Sequence, residues 1–272
     1  MIDFSKSILT KITDEEYFSI GKVDAFNHKS LVTSASFFKQ VFDRDLYEVL
    51  IKGNGTISDE LQYMFDVGSA FHTFCLEPKE FESRYYVADF ANIQETRKLI
   101  KSLDYTFIVE CWKNIKIKYP FILDESDQNE LVITTNFYGV PYRCKIDKLH
   151  EVNGVIKIID LKSVWFDFYG KKYKRNGDGV RWGLIKYIQE LNYDLQSYCY
   201  YRAVSQYLEE KGINANIEFL ILMASKDTYD VKILKFSPEM IRSGKEKFNV
   251  VFPEIKQFFD GGIKYVEQEE II

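Results

Sequence analysis

The stretch YRCKIDKLHEVNGVIKIIDLK, residues 142–162, decides the architecture. Asn153–Gly154 separates two apolar-rich runs, and Asn-Gly is a strong signal for a two-residue hairpin because both central positions need φ > 0. Val140 to Leu149 and Val155 to Leu161 therefore read as paired strands. Side chains alternate along a strand, so Asp160 and Lys162 project from one face while Leu161 points into the core. The hairpin brings Asp147 back beside Asp160. Two carboxylates and one ammonium then converge at a sheet end. Val155 to Leu161 is apolar enough for a central strand, where charge is costly unless it has a use. The competing reading is a salt-bridged Asp-x-Lys on an exposed strand.

Working outward, Leu131 to Thr135 forms another strand, followed by a turn near Tyr138–Gly139. Residues 170–183 hold four glycines and many charges and read as a loop. A helix from about Trp182 to Lys211 precedes strands at Ile217–Ala224 and Tyr229–Phe236. The long helix between strands three and four implies that part of the sheet is parallel. Ser237–Pro238–Glu239 opens a last helix running to about Asp260. On the other side, residues 1–55 read as helices with short loops, including Ser30 to Phe42. Ser58 caps a helix from Asp59 towards Glu77–Pro78, and a further helix spans Ile93 to Tyr119, ended by Pro120. The expected fold class is α/β: a mixed central β-sheet flanked by helices, with a helical N-terminal region. The expected organisation is one domain over residues 1–272, with a helical segment 1–57, a core 58–260 and a tail 261–272.

Composition sets the limits. Hydrophobic residues make up 46% of the 272, charged ones 28% and aromatic ones 16%, a globular balance that disfavours disorder. A net charge of −5 argues against a general nucleic-acid coat, yet fits an enzyme that gathers its basic residues on one face. Cys75, Cys111, Cys144 and Cys199 are scattered without a C-x-x-C pair, so neither an iron–sulfur cluster nor a zinc site is expected. No run suits a signal peptide or membrane span, and no phosphate-loop motif of an ATP-driven motor is present. The expectation is a cytoplasmic protein with no membrane partner.

Carboxylates that converge with a lysine suit phosphodiester hydrolysis. Carboxylate oxygens favour hard cations, Mg²⁺ with Mn²⁺ as a substitute, and the lysine can orient water or stabilise developing charge. His72 follows Gly68 by one helical turn, so both share a face. Gly68 leaves room for close approach of another backbone. His72 fits either a hydrogen-bonded core histidine or a ligand. Gln196 and Tyr200, also four apart, can face the site together or simply pack on the sheet.

These pieces resemble the PD-(D/E)XK nuclease superfamily, and within it the RecE-type exodeoxyribonuclease VIII nuclease domain, with RecB-like and lambda-exonuclease-like likeness. His28-Lys-Ser-Leu31 and Ser34-Ala-Ser-Phe-Phe-Lys39 are similar to its opening segment. Gly68-Ser-Ala-Phe-His72 with Leu76-Glu-Pro78, then Tyr142-Arg-Cys-Lys-Ile-Asp147, Asp160-Leu-Lys162 and Gln196-Ser-Tyr-Cys-Tyr200 follow in the family's order. The second acidic residue is Asp160 rather than the commoner Glu. The resemblance implies a restriction-endonuclease-like core with Asp147, Asp160 and Lys162 as catalytic residues. It implies metal ligation by His72, Asp147, Asp160 and the Leu161 backbone carbonyl. Gln196 and Tyr200 would contact DNA or position the site, and Glu130 would be an additional acidic residue beside the metal or a ligand of a second ion.

Lys171, Lys172, Lys174, Arg175, Arg181 and Lys186 follow the third strand, and between residues 170 and 187 only Asp178 offsets them. Such a loop could grip phosphates, with Tyr169, Tyr173 and Trp182 stacking on unpaired bases; a solvated loop is the alternative. The resulting expectation is a Mg²⁺-dependent exonuclease acting on double-stranded DNA ends in phage-type recombination. It would work as a ring trimer or tetramer beside a single-strand annealing protein. An endonuclease of the same fold, or a DNA-binding module without activity, are the alternatives.

Overall fold

The computed structural model describes residues 7–11, 16–17, 32–46, 48–52, 58–92, 94–124, 129–165, 168, 173–174, 181–182 and 184–261. In chain order the strands are β1 Ile8–Lys11, β2 Thr33–Ser34, β3 Tyr85–Val87, β4 Lys98–Ile100, β5 Asn129–Phe137, β6 Val140–Val152, β7 Val155–Val164, β8 Tyr173–Lys174, β9 Arg181–Trp182, β10 Asn216–Ser225 and β11 Val231–Lys235. The α-helices are α1 Ala35–Asp43, α2 Asp59–Leu76, α3 Phe81–Arg84, α4 Ser102–Lys118, α5 Leu184–Glu190, α6 Tyr193–Glu210 and α7 Pro238–Phe259.

A seven-stranded mixed sheet runs β1-β5-β6-β7-β10-β11, with β2 pairing to β6. The β6–β7 hairpin turns at Asn153 (φ 52°) and Gly154 (φ 74°), as the Asn-Gly signal requires. β7 and β10 are parallel from Asn216↔Val155 to Ser225↔Val164, joined through α5 and α6. Helices α1, α6 and α7 cover one face, where Phe38 stacks on Phe248 at 5.0 Å and Phe248 on Phe252 at 4.8 Å. Helices α2 and α4 cover the other, with Phe71, Phe107 and Cys111 packed on Ile159 and Leu161 of β7. The four cysteines are buried and unbridged, spread over both faces.

Three expectations need correction. The N-terminal region is not wholly helical: β1 pairs with β5 and β2 with β6, because the sheet supplies hydrogen-bond partners that local periodicity does not reveal. The helix expected over Ile93–Tyr119 starts only at Ser102, since Lys98–Ile100 pairs with Tyr85–Val87 as a small parallel sheet. The Trp182–Lys211 helix is two helices. Asn192 adopts φ 51° between them, and its side chain donates to Asp43 Oδ1 (2.6 Å) while accepting from Lys247 Nζ (2.7 Å).

The feature that makes a site is a fork in β6. Its second half pairs with β7 only as far as Lys148↔Ile159, while its first half takes β2 at Tyr142 and Arg143. Beside the fork the alternation of faces breaks. Ile146 and Leu149, three residues apart, pack in the same core. Across from them Leu131 packs there too, whereas Asn129 binds Leu76 on α2. Glu130, between Asn129 and Leu131, carries a left-handed φ of 55°. That conformation costs a non-glycine residue on the order of 1–2 kcal/mol, so the surroundings must hold it.

Candidate metal and phosphodiester site

Four segments supply the side chains. Ser58 caps α2 by accepting from Leu61 N, and the helix delivers His72 to the end of β7. There His72 Nε2 lies 2.8 Å from the Leu161 carbonyl oxygen, and Nδ1 lies 3.5 Å from Asp147 Oδ1. Asp147 sits in the fork, and its Oδ2 accepts the Leu161 N–H (2.7 Å), which no β6 backbone group meets once the strands part. Glu130 comes from the irregular turn of β5 and is ion-paired to Lys145. Ligand atoms of His72, Glu130 and Asp147 all lie within 4.8 Å of one another, the one such group among the described residues.

Asp160 and Lys162 share a face of β7, as strand alternation predicts. Lys162 Nζ is 2.6 Å from Asp160 Oδ2. That ion pair is the contact the buried Asp160 Oδ2 makes among the described residues. Asp160 Oδ1 accepts from Gln196 Nε2 at 2.9 Å. Asp160 thus faces Gln196 and Lys162 rather than joining the His72–Glu130–Asp147 group. Gln196 is buried and reaches the site. Tyr200 is buried as well and packs edge-on against Phe219 at 6.3 Å. Lys171, Lys172 and Arg175 lie outside the described residues, as do Tyr169 and His28; Arg181 is described only as backbone, within β9.

Charge and burial compete throughout. Burial opposes ionisation of Asp147, but the His72 ring, Lys162 and the Leu161 N–H outweigh it and hold its carboxyl below the usual range. Burial likewise disfavours the His72 cation, yet the Asp147 carboxylate prevails and raises its pKa. Glu130 and Asp160 are both pushed up, first by burial, with the Asp147 charge adding to each; Lys145 and Lys162 oppose these shifts. Lys162 stays charged because Asp160 and Asp147 overcome its desolvation.

This donor set fits a hard divalent cation. Two buried carboxylates face each other with only partial neutralisation, which a cation would relieve. Adjacent ligands on a six-coordinate Mg²⁺ sit at about 2.1 Å from the ion and so about 3 Å apart. The 2.8 Å between His72 Nε2 and the Leu161 oxygen suits that role as well as a hydrogen bond.

One residue at the site received no individual role from the sequence. Lys39 of α1 holds its ammonium 4.9 Å above the Tyr193 ring, and Lys162 stands 5.6 Å from the same ring. Among the described residues Lys39 has no ion-pair partner. Burial, then repulsion from Lys162, pulls its pKa down to about 8. The signal was legible: Lys39 lies one turn after buried Ala35 on an amphipathic helix. A cleft of 1070 Å³ begins at the end of α1, lined by Phe42, Asp43, Leu184, Asn192, Lys232 and Lys247 among others, and Lys39 is not in its lining. Among the described residues, no helix is long and apolar enough to cross a membrane.

Comparison with known proteins agrees with this architecture. No curated protein matches the chain. The chain is similar in fold to a solved structure from Eubacterium rectale described as a "putative exonuclease", with a TM-score of 0.61 and 19% sequence identity over 96% of this chain and 92% of that one. The family described as PDDEXK-like domain of unknown function (DUF3799) matches residues 34–270. With the forked strand, the Asp147 and Asp160-Leu161-Lys162 elements and a family match over most of its length, this chain belongs to that PDDEXK-like family.

Proposed function

We propose that the protein is a divalent-metal-dependent nuclease that hydrolyses DNA phosphodiester bonds from duplex ends. The observation that carries this reading is the junction at Leu161. Its carbonyl meets His72 and its N–H meets Asp147, while its chain neighbours Asp160 and Lys162 lie 2.6 Å apart. His72, Asp147, Glu130 and the Leu161 carbonyl would hold the ion, with Asp160 completing its surroundings. When bound, Mg²⁺ or Mn²⁺ supplies concentrated positive charge for a phosphate and acidifies water. Lys162 would orient that water or meet developing negative charge. Gln196 fixes the Asp160 carboxylate.

Action at ends, in phage-type recombination beside a single-strand annealing protein and as a ring of three or four subunits, rests on the RecE-type resemblance. The net charge of −5 suits such a ring if basic residues line its channel. The deciding assay is linear duplex DNA labelled at its 5′ or 3′ end, set beside a covalently closed circle. Mg²⁺-dependent loss of the linear DNA with an intact circle is expected. Cleavage of the circle would make the enzyme an endonuclease. DNA binding without any metal-dependent cleavage would leave only a binding module.

Lys39 would meet a substrate phosphate next to the one attacked, a reading supported by the Tyr193 ring it shares with Lys162. Lys39→Met should weaken DNA binding about tenfold and lower the salt slope by about 1, measured without cleavage in Ca²⁺. The same change should raise the melting temperature of the free protein, because it removes a poorly solvated charge. With a folded pKa of about 8, below the unfolded value, Lys39 carries its full cost below pH 8. That cost fades as the pH rises from 8 towards the unfolded pKa, so the stability gain of the variant should shrink over the same window. A less stable variant with unchanged DNA affinity would make Lys39 a structural residue.

A further inference from the structure

Behind the His72–Glu130–Asp147 group lies a second cluster with no part in the chemistry above. Lys148 is fully buried, at 0% exposure. Its Nζ donates to Asn129 Oδ1 (2.9 Å) and to the Asp124 carbonyl (2.8 Å). The Asn129 amide in turn donates to the Leu76 carbonyl (3.1 Å) and to the Asp124 carbonyl (3.3 Å). A buried ammonium whose hydrogen bonds go to neutral oxygens, with the Asp124 charge offsetting only part of its desolvation, is an expensive way to fill space, and a methionine would do so without that cost.

The places this knot touches account for that expense. Leu76 lies one helical turn after His72, and its carbonyl is one of those that the end of α2 leaves unpaired. Asn129 immediately precedes Glu130, and Lys148 immediately follows Asp147. Glu130 and Asp147 therefore each have an adjacent residue, and His72 a residue one helical turn away, pinned in one hydrogen-bonded assembly. The same assembly borders the left-handed turn at Glu130, which cannot persist without support.

We propose that Lys148 and Asn129 are positioning residues for a divalent cation. By tying α2, β5 and β6 together, they hold the imidazole and the two carboxylates at ligating distance before any ion arrives. This inference rests on the metal-site reading above and extends it to residues that touch neither ion nor substrate.

Isothermal titration of the 272-residue chain with Mn²⁺ tests it, alongside melting temperatures with and without Mn²⁺. Asn129→Ala and Lys148→Met should bind Mn²⁺ about 10- to 100-fold more weakly than wild type, with a smaller Mn²⁺-induced rise in melting temperature. Asn129→Asp keeps the acceptor for Lys148, loses the donors to Leu76 and Asp124, and serves as the milder variant should the others not fold; a weaker Mn²⁺ affinity is expected there too. Val251→Ala, a core truncation on α7, should lose stability without losing affinity. Mn²⁺ affinity within twofold of wild type in any folded knot variant overturns the inference alone. A wild-type chain that binds no Mn²⁺ overturns the metal-site reading, and this inference with it.

Discussion

Asp160→Asn should fold normally and lose DNA cleavage by about 10³-fold or more, a size expected when one preorganised charge is removed from a metal-assisted reaction. Asparagine has nearly the same shape and keeps an oxygen for Gln196 Nε2, so the 2.9 Å contact to α6 survives. What goes is the negative charge. Asp160 is 2% exposed, and its burial already pushes the carboxyl pKa up, so losing the charge relieves a cost to the folded state. Against this, Lys162 loses its nearest counter-ion but retains the attraction of Asp147. The two effects oppose each other, and stability should shift by no more than about 1–2 kcal/mol. Circular dichroism and melting curves would establish the fold, and single-turnover cleavage the rate. The loss should fall on the rate with little change in DNA affinity, since Asp160 faces Lys162 and Gln196 rather than solvent. A folded Asp160→Asn that cleaves within tenfold of wild type would remove Asp160 from the reacting centre.

How much of this was legible beforehand follows from which forces are local. The β6–β7 hairpin was written in Asn153–Gly154, and the shared face of Asp160 and Lys162 in strand alternation; both are set by neighbours in the chain. Ser58 and Ser237 mark the starts of α2 and α7 for the same reason. The fork, by contrast, arises where β7 leaves β6 and β2 takes its place. No periodicity announces it, because Thr33–Ser34 becomes a strand only by pairing with Tyr142 and Arg143. The break at Asn192 was hidden similarly. Its left-handed backbone is held by Asp43 and Lys247, from helices far away in sequence. At the site, period two predicted the Asp160–Lys162 pair but not which donors cluster. Glu130 joins His72 and Asp147 through a backbone irregularity that alternation excludes, so the sequence pointed to it only as an extra acidic residue nearby.

Glycine offers the sharpest contrast between the two levels, and it leads to the largest stability effect expected. Gly68, within the Gly68–His72 element, reads as a position of close backbone approach. A Cβ there would meet nothing nearer than Ser163 Oγ at 3.7 Å, an ordinary contact. Gly68→Ala should therefore be tolerated, and helix propensity favours it by up to about 1 kcal/mol. The close approach is at Gly244 of α7, where a Cβ would lie 2.0 Å from the Asp194 carbonyl oxygen and 2.6 Å from its carbon. Both are backbone atoms, so α6 and α7 would have to separate. Asp194 is fully buried, and its carboxylate is held by Ser243 Oγ (2.7 Å) and Lys247 Nζ (2.9 Å), which flank Gly244 on α7. Moving the helices apart strains the core and pulls a buried ion pair open at once. Gly244→Ala should cost about 4 kcal/mol or more, lowering the melting temperature by about 10 °C. Gln196 lies two residues beyond Asp194 on the same helix, so the shift should reach the Asp160 carboxylate and slow cleavage even well below the melting point. Melting curves and cleavage rates for Gly244→Ala and Gly68→Ala side by side would check both halves of the argument, and equal stability of the two variants would show that the α6–α7 contact can yield where the geometry says it cannot.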